Sequence, residues 1–466
     1  MKRILRSALV LLALGAWPAW RFGLAPLVDT IEIALGYAAT VSAMQHFATG
    51  DDVDTIRAER LPAEFSFLSI TVDADTRTAT ASAFGLLSRT ARYRPGLGAT
   101  RTEVAVGALP GSLVDLVATP PVGEPWPEGS SPELSPLPAG VSAAALDAAL
   151  DAAFVDPETG LERGTHAVLV ACGGRLVAER YAEPYGPRTP LLGWSMTKSV
   201  TATLIGRLIH EGRLALDAPA PIPEWSAADD PRAAIRLDDL LRMRSGLEFQ
   251  QNHEDASCDS LNMLFVSGDC GAYAAGKELA HAPGTHWSYS DGTSNVLARL
   301  VRAHGGGTLD EQLTFPQRLL FAPLGLDTAW IAVDGSGTFV GSSLMYASAR
   351  DWARFGLLYL RDGVWNGERL LPEGWVDYVS SRTDGSRNGR YGAHFWRYDA
   401  DANAAADGRL FPAELEGVFY AAGYQRQYVF LDRARDLVLV RLGVRPEPPG
   451  FDPKEFAAAV LRCFDA

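Results

Sequence analysis

A serine and a lysine lie three positions apart at the start of an apolar, helix-like stretch. The segment is Trp194-Ser195-Met196-Thr197-Lys198-Ser199-Val200, and apolar residues continue to Ile209. Residues three apart share one face of the first helical turn. The positive end of the helix dipole favours an oxyanion at Ser195 and disfavours a positive charge at Lys198. Lys198 is therefore predicted to have a lowered pKa and to accept the proton of Ser195, which would make Ser195 a nucleophile.

The chain is poor in lysine, which makes this pair informative. Its lysines are Lys2, Lys198, Lys277 and Lys454, and arginine carries the remaining positive charge of the 466 residues. A Ser-x-x-Lys triplet also arises by chance or as a helix cap. The pair therefore needs supporting residues elsewhere in the chain.

Two other segments supply candidates for that support. Tyr289 lies in Pro283-Gly284-Thr285-His286-Trp287-Ser288-Tyr289-Ser290-Asp291, just before a helical pattern over residues 293–301. A phenol at such a turn can relay protons, although tyrosine is more often a packing residue. Gly423 lies in Tyr420-Ala421-Ala422-Gly423-Tyr424-Gln425-Arg426-Gln427, where it would let a strand approach a substrate and offer a backbone N–H to an oxyanion. A simple bulge is the alternative for Gly423.

Composition and charge exclude several classes of protein. The chain is 47% apolar and 21% charged, which is typical of a globular protein with two or three domains. A formal charge of −14 without a basic run argues against a nucleic-acid partner. The four cysteines are too scattered for a zinc site, and only a Cys258–Cys270 bridge within one loop is compatible with their spacing. We predict neither a cofactor nor a metal.

The order of segments predicts four regions. Residues 1–23 combine three basic residues with an apolar run from Ser7 to Trp20, so we interpret them as a signal peptide or an uncleaved N-terminal membrane anchor, with a buried amphipathic helix as the alternative. Either targeting role makes the protein exported, either periplasmic and soluble or anchored to the inner membrane. Residues 24–109 form an N-terminal accessory region, residues 110–140 a proline-rich linker, and residues 141–466 the main domain.

Periodicity and turn residues predict one antiparallel sheet in the main domain. Hairpins are expected at 166–171 with 175–180 and at 427–431 with 437–442, a helix at 142–154, and a last helix capped by Asp452. A mostly helical middle, about residues 191–378, would be inserted between them. The accessory region is expected to hold a helix at 30–47 and a hairpin of 65–72 with 78–84. The predicted class is α/β (α+β), an antiparallel sheet flanked by helices plus a mostly helical subdomain.

Taken together, these segments resemble the serine β-lactamase and penicillin-binding protein superfamily, in the class C-like branch with family VIII esterases and 6-aminohexanoate-dimer hydrolases. Ser195 and Lys198 match the nucleophile motif, Tyr289 the second-motif tyrosine, and Ala421-Ala422-Gly423 the third-motif strand. The resemblance covers about residues 143–466. It also includes these segments: 237–247, Pro283-Gly284-Thr285, Asp351-Trp352-Ala353-Arg354-Phe355-Gly356, Trp365-Asn366-Gly367 and Tyr391-Gly392. It implies a serine β-lactamase-like fold and, as oxyanion donors, the backbone N–H groups of Ser195 and Tyr424.

Two departures from the family pattern bear on the substrate. The second motif reads Tyr-Ser-Asp where the family usually has Tyr-x-Asn, so Asp291 becomes a substrate-binding candidate together with Gly423 and Arg426. The third motif has alanines where β-lactamases carry Lys or His before Thr-Gly, and recognition of a substrate carboxylate needs such a cation.

The sequence therefore predicts an exported serine hydrolase that cleaves a small ester or amide through an acyl-enzyme on Ser195. The alternatives are a β-lactamase or D-Ala-D-Ala carboxypeptidase-type enzyme, and a non-catalytic peptidoglycan- or peptide-binding relative. Esters or amides without a carboxylate at the third-motif position should be preferred over β-lactams.

Overall fold

The structure is a computed structural model, and it describes residues 25–104, 109–113, 116–227, 229–253, 255, 257–398, 411–444 and 451–465. The predicted signal peptide or anchor at residues 1–23 lies outside the described residues. Among the helices that are described, each is too short or too polar to cross a bilayer.

The accessory region folds as a long helix packed on a small antiparallel sheet. The predicted helix at 30–47 is confirmed, with an earlier start at Ala25 and a final wide turn over Gln45–Thr49. The predicted hairpin is also confirmed, but its first strand starts later because Ala63–Phe67 form a 3₁₀ turn. The elements are α1 (Ala25–Met44), α2 (Val53–Glu59), β1 (Leu68–Asp73), β2 (Thr78–Ala83), β3 (Leu87–Arg94) and β4 (Gly98–Arg101), with the strands in sequential order.

The main domain alternates strands at its two ends with helices in its middle. Its first elements are α3 (Ala143–Asp151), β5 (Thr165–Cys172), β6 (Arg175–Tyr181), β7 (Leu191–Leu192), α4 (Thr197–His210), α5 (Leu237–Leu241), α6 (Asp259–Phe265), α7 (Cys270–Ala275), α8 (Asp291–Ala303), α9 (Leu309–Leu313), α10 (Ala322–Leu324), β8 (Trp330–Ile331) and β9 (Met345–Ala347). Its last elements are α11 (Ala349–Leu360), β10 (Val364–Trp365), β11 (Glu368–Arg369), α12 (Trp375–Ser380), β12 (Trp396–Arg397), β13 (Phe419–Gly423), β14 (Gln427–Asp432), β15 (Leu437–Gly443) and α13 (Pro453–Arg462).

The two sequence ends of the main domain meet in one antiparallel six-stranded sheet. Its order is β12-β13-β14-β15-β5-β6, so the first predicted hairpin pairs with the second through β5 and β15. Both hairpins, the helix at 142–154 and the cap at Asp452 are present, and the helical middle is inserted between them. The predicted fold class is confirmed.

Buried side chains of the accessory region and of the helical middle form one continuous hydrophobic core. The buried face of α1 packs in the same cluster as the residues around Ser195, and Thr100 donates a 3.0 Å hydrogen bond to the carbonyl of Val333. The proline-rich segment packs there too, because Trp126 is buried and Arg354 donates to the carbonyl of Pro127 at 2.9 Å. The accessory region, the proline-rich segment and the main domain therefore share one core.

The cysteine bridge that the spacing allowed is not formed. Cys258 and Cys270 are both free and buried, and the Cys270 thiol donates to the carbonyl of Met263. Burial raises the pKa of both thiols, which keeps them in the unreactive protonated form.

Candidate active site

Ser195 lies in a tight turn that leads directly into helix α4. Trp194–Met196 form one 3₁₀ turn before Thr197, and Trp194 has a left-handed backbone with φ of 48°. The turn is anchored by Thr197, whose hydroxyl donates to the carbonyl of Trp194 at 2.7 Å and accepts from the backbone N–H of Met345. Ser195 itself is half-buried, so the turn holds it in place while part of the residue remains accessible.

Lys198 makes the contact with Ser195 that the spacing predicts. Its ammonium donates to Ser195 Oγ at 2.9 Å, to Asp291 Oδ1 at 2.5 Å and to the carbonyl oxygen of Ser342 at 2.9 Å. The side chain is almost fully buried. All three ammonium protons therefore have acceptors, which fixes the nitrogen beside the serine hydroxyl.

Asp291 is the buried counter-ion of Lys198. It is the first residue of α8, and its exposure is 2%. Its Oδ2 accepts hydrogen bonds from Gln251 Nε2 at 2.9 Å and from the Ser260 hydroxyl, and His253 Nε2 lies 3.7 Å away. The structure thus places Asp291 behind the lysine, where its carboxylate holds the ammonium in position.

The prediction of a lowered pKa for Lys198 is wrong. Burial favours the neutral amine, but the adjacent Asp291 carboxylate and Tyr289 outweigh it and hold the pKa of Lys198 above its ordinary value. Burial likewise acts to raise the pKa of Asp291, and the opposing charge of Lys198 holds that pKa far below its usual range. The helix dipole alone favours a neutral lysine, but the Asp291 carboxylate, which is distant in sequence, favours the charged form.

Tyr289 lies beside the same ammonium, as predicted from its position before a helix. Lys198 Nζ is 4.9 Å from the centroid of the Tyr289 ring. The ring is held by Tyr391 at 5.9 Å and Trp396 at 5.5 Å between centroids. Aromatic packing therefore positions the phenol, and Tyr289 remains half-buried.

The tryptophans between residues 287 and 396 divide into two groups. Trp287 and Trp396 are half-buried and surround Tyr289 and Tyr391. The others are buried in the hydrophobic core: Trp330, Trp352, Trp365 and Trp375. Only the first group is available to contact a substrate at this position.

The third-motif strand β13 runs against the turn that carries Ser195. A Cβ on Gly423 would lie 2.1 Å from the carbonyl oxygen of Gly193, so only glycine permits this approach. Tyr424 follows at the end of the strand, with its side chain 58% exposed and its ring 5.6 Å from that of Trp194. Arg426 lies farther along, where its charge acts on Tyr428 and Arg441.

Sequence reasoning missed the polar residues that support Asp291. Gln251 both donates to the Asp291 carboxylate and accepts from its backbone N–H at 2.7 Å, and Ser260 donates to the same carboxylate. Gln251 lies in the loop between α5 and α6, and Ser260 lies in the first turn of α6; no motif in the sequence specifies the course of this segment. The unusual aspartate at position 291 was the one available signal, since a buried carboxylate needs donors.

Comparison with known proteins agrees with this geometry. The model of the β-lactamase family matches residues 151–463. The chain belongs to the β-lactamase family. Because the enzymes of that family are serine hydrolases, this chain is one too. Its resemblance to esterases and amidases of the superfamily is confirmed.

Relatives of this β-lactamase-family chain carry hydrolase names. A 6-aminohexanoate-dimer hydrolase of Paenarthrobacter ureafaciens is 28% identical over 303 residues, which cover 62% of this chain and 74% of that protein. A penicillin-binding protein homologue from Caulobacter crescentus has the same fold, with a TM-score of 0.51, 19% identity, and coverage of 70% of this chain and 98% of that one. A family VIII carboxylesterase also has the same fold, with a TM-score of 0.50 and 15% identity, and the match covers 71% of this chain and 99% of that one.

Proposed function

We propose that this chain is an exported serine hydrolase that cleaves an ester or amide bond through an acyl-enzyme on Ser195. The observation that carries the proposal is the 2.9 Å hydrogen bond between Lys198 Nζ and Ser195 Oγ at the start of α4. In the proposed reaction Ser195 Oγ attacks the carbonyl carbon, and the alcohol or amine leaves. Water then attacks the acyl-serine, releases the acid and restores Ser195.

Tyr289 is assigned the transfer of the Ser195 proton to the leaving group. Because the ion pair with Asp291 keeps Lys198 protonated, Lys198 cannot take the proton of Ser195. This favours Tyr289 over Lys198 as the base. Its phenolic oxygen accepts the Ser195 proton and passes it to the leaving group; in deacylation it takes a proton from the attacking water and returns it to Ser195. The Lys198 ammonium stabilises negative charge on both oxygens.

Asp291→Asn is expected to move the alkaline limb of the kcat profile to lower pH. Without the carboxylate, burial becomes the dominant influence and the pKa of Lys198 falls. Loss of an adjacent opposite charge changes such a pKa by about 1–3 units, so the protonated lysine is lost earlier as pH rises. The measurement is a pH–rate profile with a p-nitrophenyl ester.

Asp259→Asn is the matched control for this profile. Asp259 is the first residue of α6, as Asp291 is of α8, but it pairs with Lys277 at 2.6 Å. Its variant should keep the wild-type alkaline limb. Faster turnover by Asp291→Asn at neutral pH would contradict the assignment, because it would show that a neutral Lys198 is the base.

The substrate class follows from the absence of a cation in the third-motif strand. Ala421 is buried at 1% exposure and Ala422 is half-buried, so neither position offers a charge to a carboxylate. We expect p-nitrophenyl esters or short amides to be hydrolysed far more efficiently than nitrocefin, as measured by kcat/KM. The names of the relatives, an amide-dimer hydrolase and a carboxylesterase, support this choice. Efficient hydrolysis of nitrocefin would contradict this choice and show that the protein acts as a β-lactamase.

Export with retention at the inner membrane is the proposed location. Residues 1–6 are basic and residues 7–20 apolar. Helix α1 and strand β3 run in the same direction, because Glu32 pairs with Arg89 and Phe47 stacks on Tyr93. The start of α1 therefore lies at the same end of the sheet as the turn between β2 and β3.

That turn carries exposed apolar side chains. Phe84 is 71% exposed and Leu86 86%, and the ring of Phe67 stacks on Phe84 at 5.5 Å. An apolar tip beside the point where residues 1–24 join α1 suits contact with a bilayer surface. Protease treatment of spheroplasts should degrade the membrane-bound protein. Protection in intact spheroplasts would contradict export.

A further inference from the structure

The two predicted oxyanion donors each adjoin a residue in a strained backbone conformation. Trp194 precedes the N–H of Ser195 and has φ of 48°, and Gln425 follows Tyr424 and has φ of 57°. Non-glycine residues keep left-handed conformations only where the surrounding structure enforces them. The question is therefore which part of the chain holds Trp194 and Gln425.

Helix α1 of the N-terminal region holds Trp194. The ring of Tyr37 is stacked on Trp194, with 6.3 Å between centroids and 18° between planes, and it also packs against Phe265 at 4.7 Å. A Cβ on Gly36 would lie 2.1 Å from the carbonyl oxygen of Phe265, so α1 closely approaches the end of α6. Tyr37 is buried at 7% exposure. Its position is thus fixed on several sides.

The end of helix α2 holds Gln425. The side-chain amide of Gln425 donates to the carbonyl oxygen of Glu59 at 2.7 Å, and its exposure is 9%. On the other side, the buried guanidinium of Arg441 donates to the carbonyl of Gln425 at 3.1 Å. Both faces of this residue are therefore engaged, and one of the two anchors belongs to the N-terminal region.

Two consecutive peptide groups, Glu59–Arg60 and Arg60–Leu61, join these two supports. The Tyr37 hydroxyl donates to the carbonyl of Arg60 at 3.1 Å, and the preceding carbonyl, that of Glu59, accepts from Gln425. This segment is itself fixed to the main sheet, because His166 of β5 lies 3.3 Å from both the Arg60 guanidinium and the Glu59 carboxylate. Movement of one support is thereby coupled to the other.

We propose that the N-terminal region, through Tyr37 and the carbonyl groups of Glu59 and Arg60, positions the two backbone N–H groups that form the oxyanion hole. The inference rests on the proposed acyl-enzyme reaction. The family match begins at residue 151, so these positioning residues come from outside the part of the chain that the family describes. Oxyanion donors act only if they are fixed in place before the charge develops.

Tyr37→Leu tests the first support. It removes the ring that stacks on Trp194 and is expected to lower kcat for a p-nitrophenyl ester about tenfold, with KM unchanged, because misplaced donors weaken transition-state binding. Affinity for a boronic acid that forms a tetrahedral serine adduct should fall by the same factor. Tyr37→Phe keeps the ring but loses the hydrogen bond to Arg60, so its kcat should fall less than that of Tyr37→Leu.

Tyr93→Leu is the matched control. Tyr93 is another buried tyrosine of the N-terminal region, and its ring packs on Phe47 and Trp330, whereas that of Tyr37 packs on Trp194. Its variant should lose thermal stability comparably while kcat stays at the wild-type level. An equal fall of kcat in both variants would overturn the proposal, because it would show a general effect of destabilisation.

Gln425→Leu tests the second support without disturbing the core of the N-terminal region. It should lower kcat and boronate affinity as Tyr37→Leu does, and it decides the matter if the Tyr37 variant does not fold. Wild-type kcat in Gln425→Leu would overturn the proposal. A wild-type protein that forms no serine adduct with a fluorophosphonate would instead refute the proposed function, so the two failures are distinguishable.

Discussion

Replacing Ser195 by alanine is expected to abolish turnover of every ester or amide that the protein hydrolyses. The hydroxyl is the proposed nucleophile, and no acyl-enzyme can form without it. Its contact with Lys198 Nζ is the one that the spacing of the motif predicted. Labelling by a serine-directed fluorophosphonate should disappear together with the activity, and both are measured on the same preparation.

Ser199→Ala is the matched control for this experiment. Ser199 lies one turn farther along α4, where its buried hydroxyl donates to the carbonyl of His394 at 2.6 Å. Its variant should keep the label even where stability falls. The Ser195 variant should melt as the wild type does, because the side chain is half-buried at the cleft. Persistent labelling of Ser195→Ala would identify another nucleophile.

Tyr289→Phe is expected to lower kcat by about a hundredfold or more, the usual scale for a positioned acid or base. The variant keeps the ring against Tyr391 and Trp396 and removes only the hydroxyl that carries the proton. Binding should change little, so the loss should appear in kcat rather than in KM. The measurement is steady-state kinetics with an ester whose leaving group needs protonation.

Tyr391→Phe controls for the loss of a phenol from the same aromatic group. Tyr391 is fully buried, and burial raises the pKa of its hydroxyl, so that group cannot serve as a base. Its variant should retain near-normal turnover. A normal rate for Tyr289→Phe would contradict the assignment of the proton to Tyr289.

The elements that carry the site were predictable because local patterns specify them. A glycine turn located the first hairpin of the main sheet and a charged turn located the second, whereas the register of β5 with β15 is known only from the structure. Ser195, Lys198 and Tyr289 were located by motif, and the structure brings Lys198 into contact with both of the others.

The electrostatics of the site were not predictable in the same way. Lys198 owes its raised pKa to a carboxylate 93 positions away in sequence, and the helix start alone indicated the opposite direction. Gln251 comes from a loop and Ser260 from the start of the short helix α6, so nothing local specifies their contact with Asp291. Tertiary contacts of this kind decide charge states, whereas local patterns decide helices and strands.

The role of the N-terminal region was likewise hidden from the sequence. Tyr37 reads as one more apolar position on the buried face of a helix, and its stacking on Trp194 joins residues 157 positions apart. Gln425 gives no signal either, since a glutamine with positive φ is not recognisable before the backbone is known.

Trapping the acyl-enzyme tests the central claim most directly. The protein would be mixed with p-nitrophenyl acetate, quenched with acid during the first turnover, digested, and analysed by tandem mass spectrometry. The account predicts one acetyl group on Ser195, formed with a burst of p-nitrophenol and absent from Ser195→Ala. Acetylation of a different side chain during turnover, or a burst without any adduct on Ser195, would contradict it.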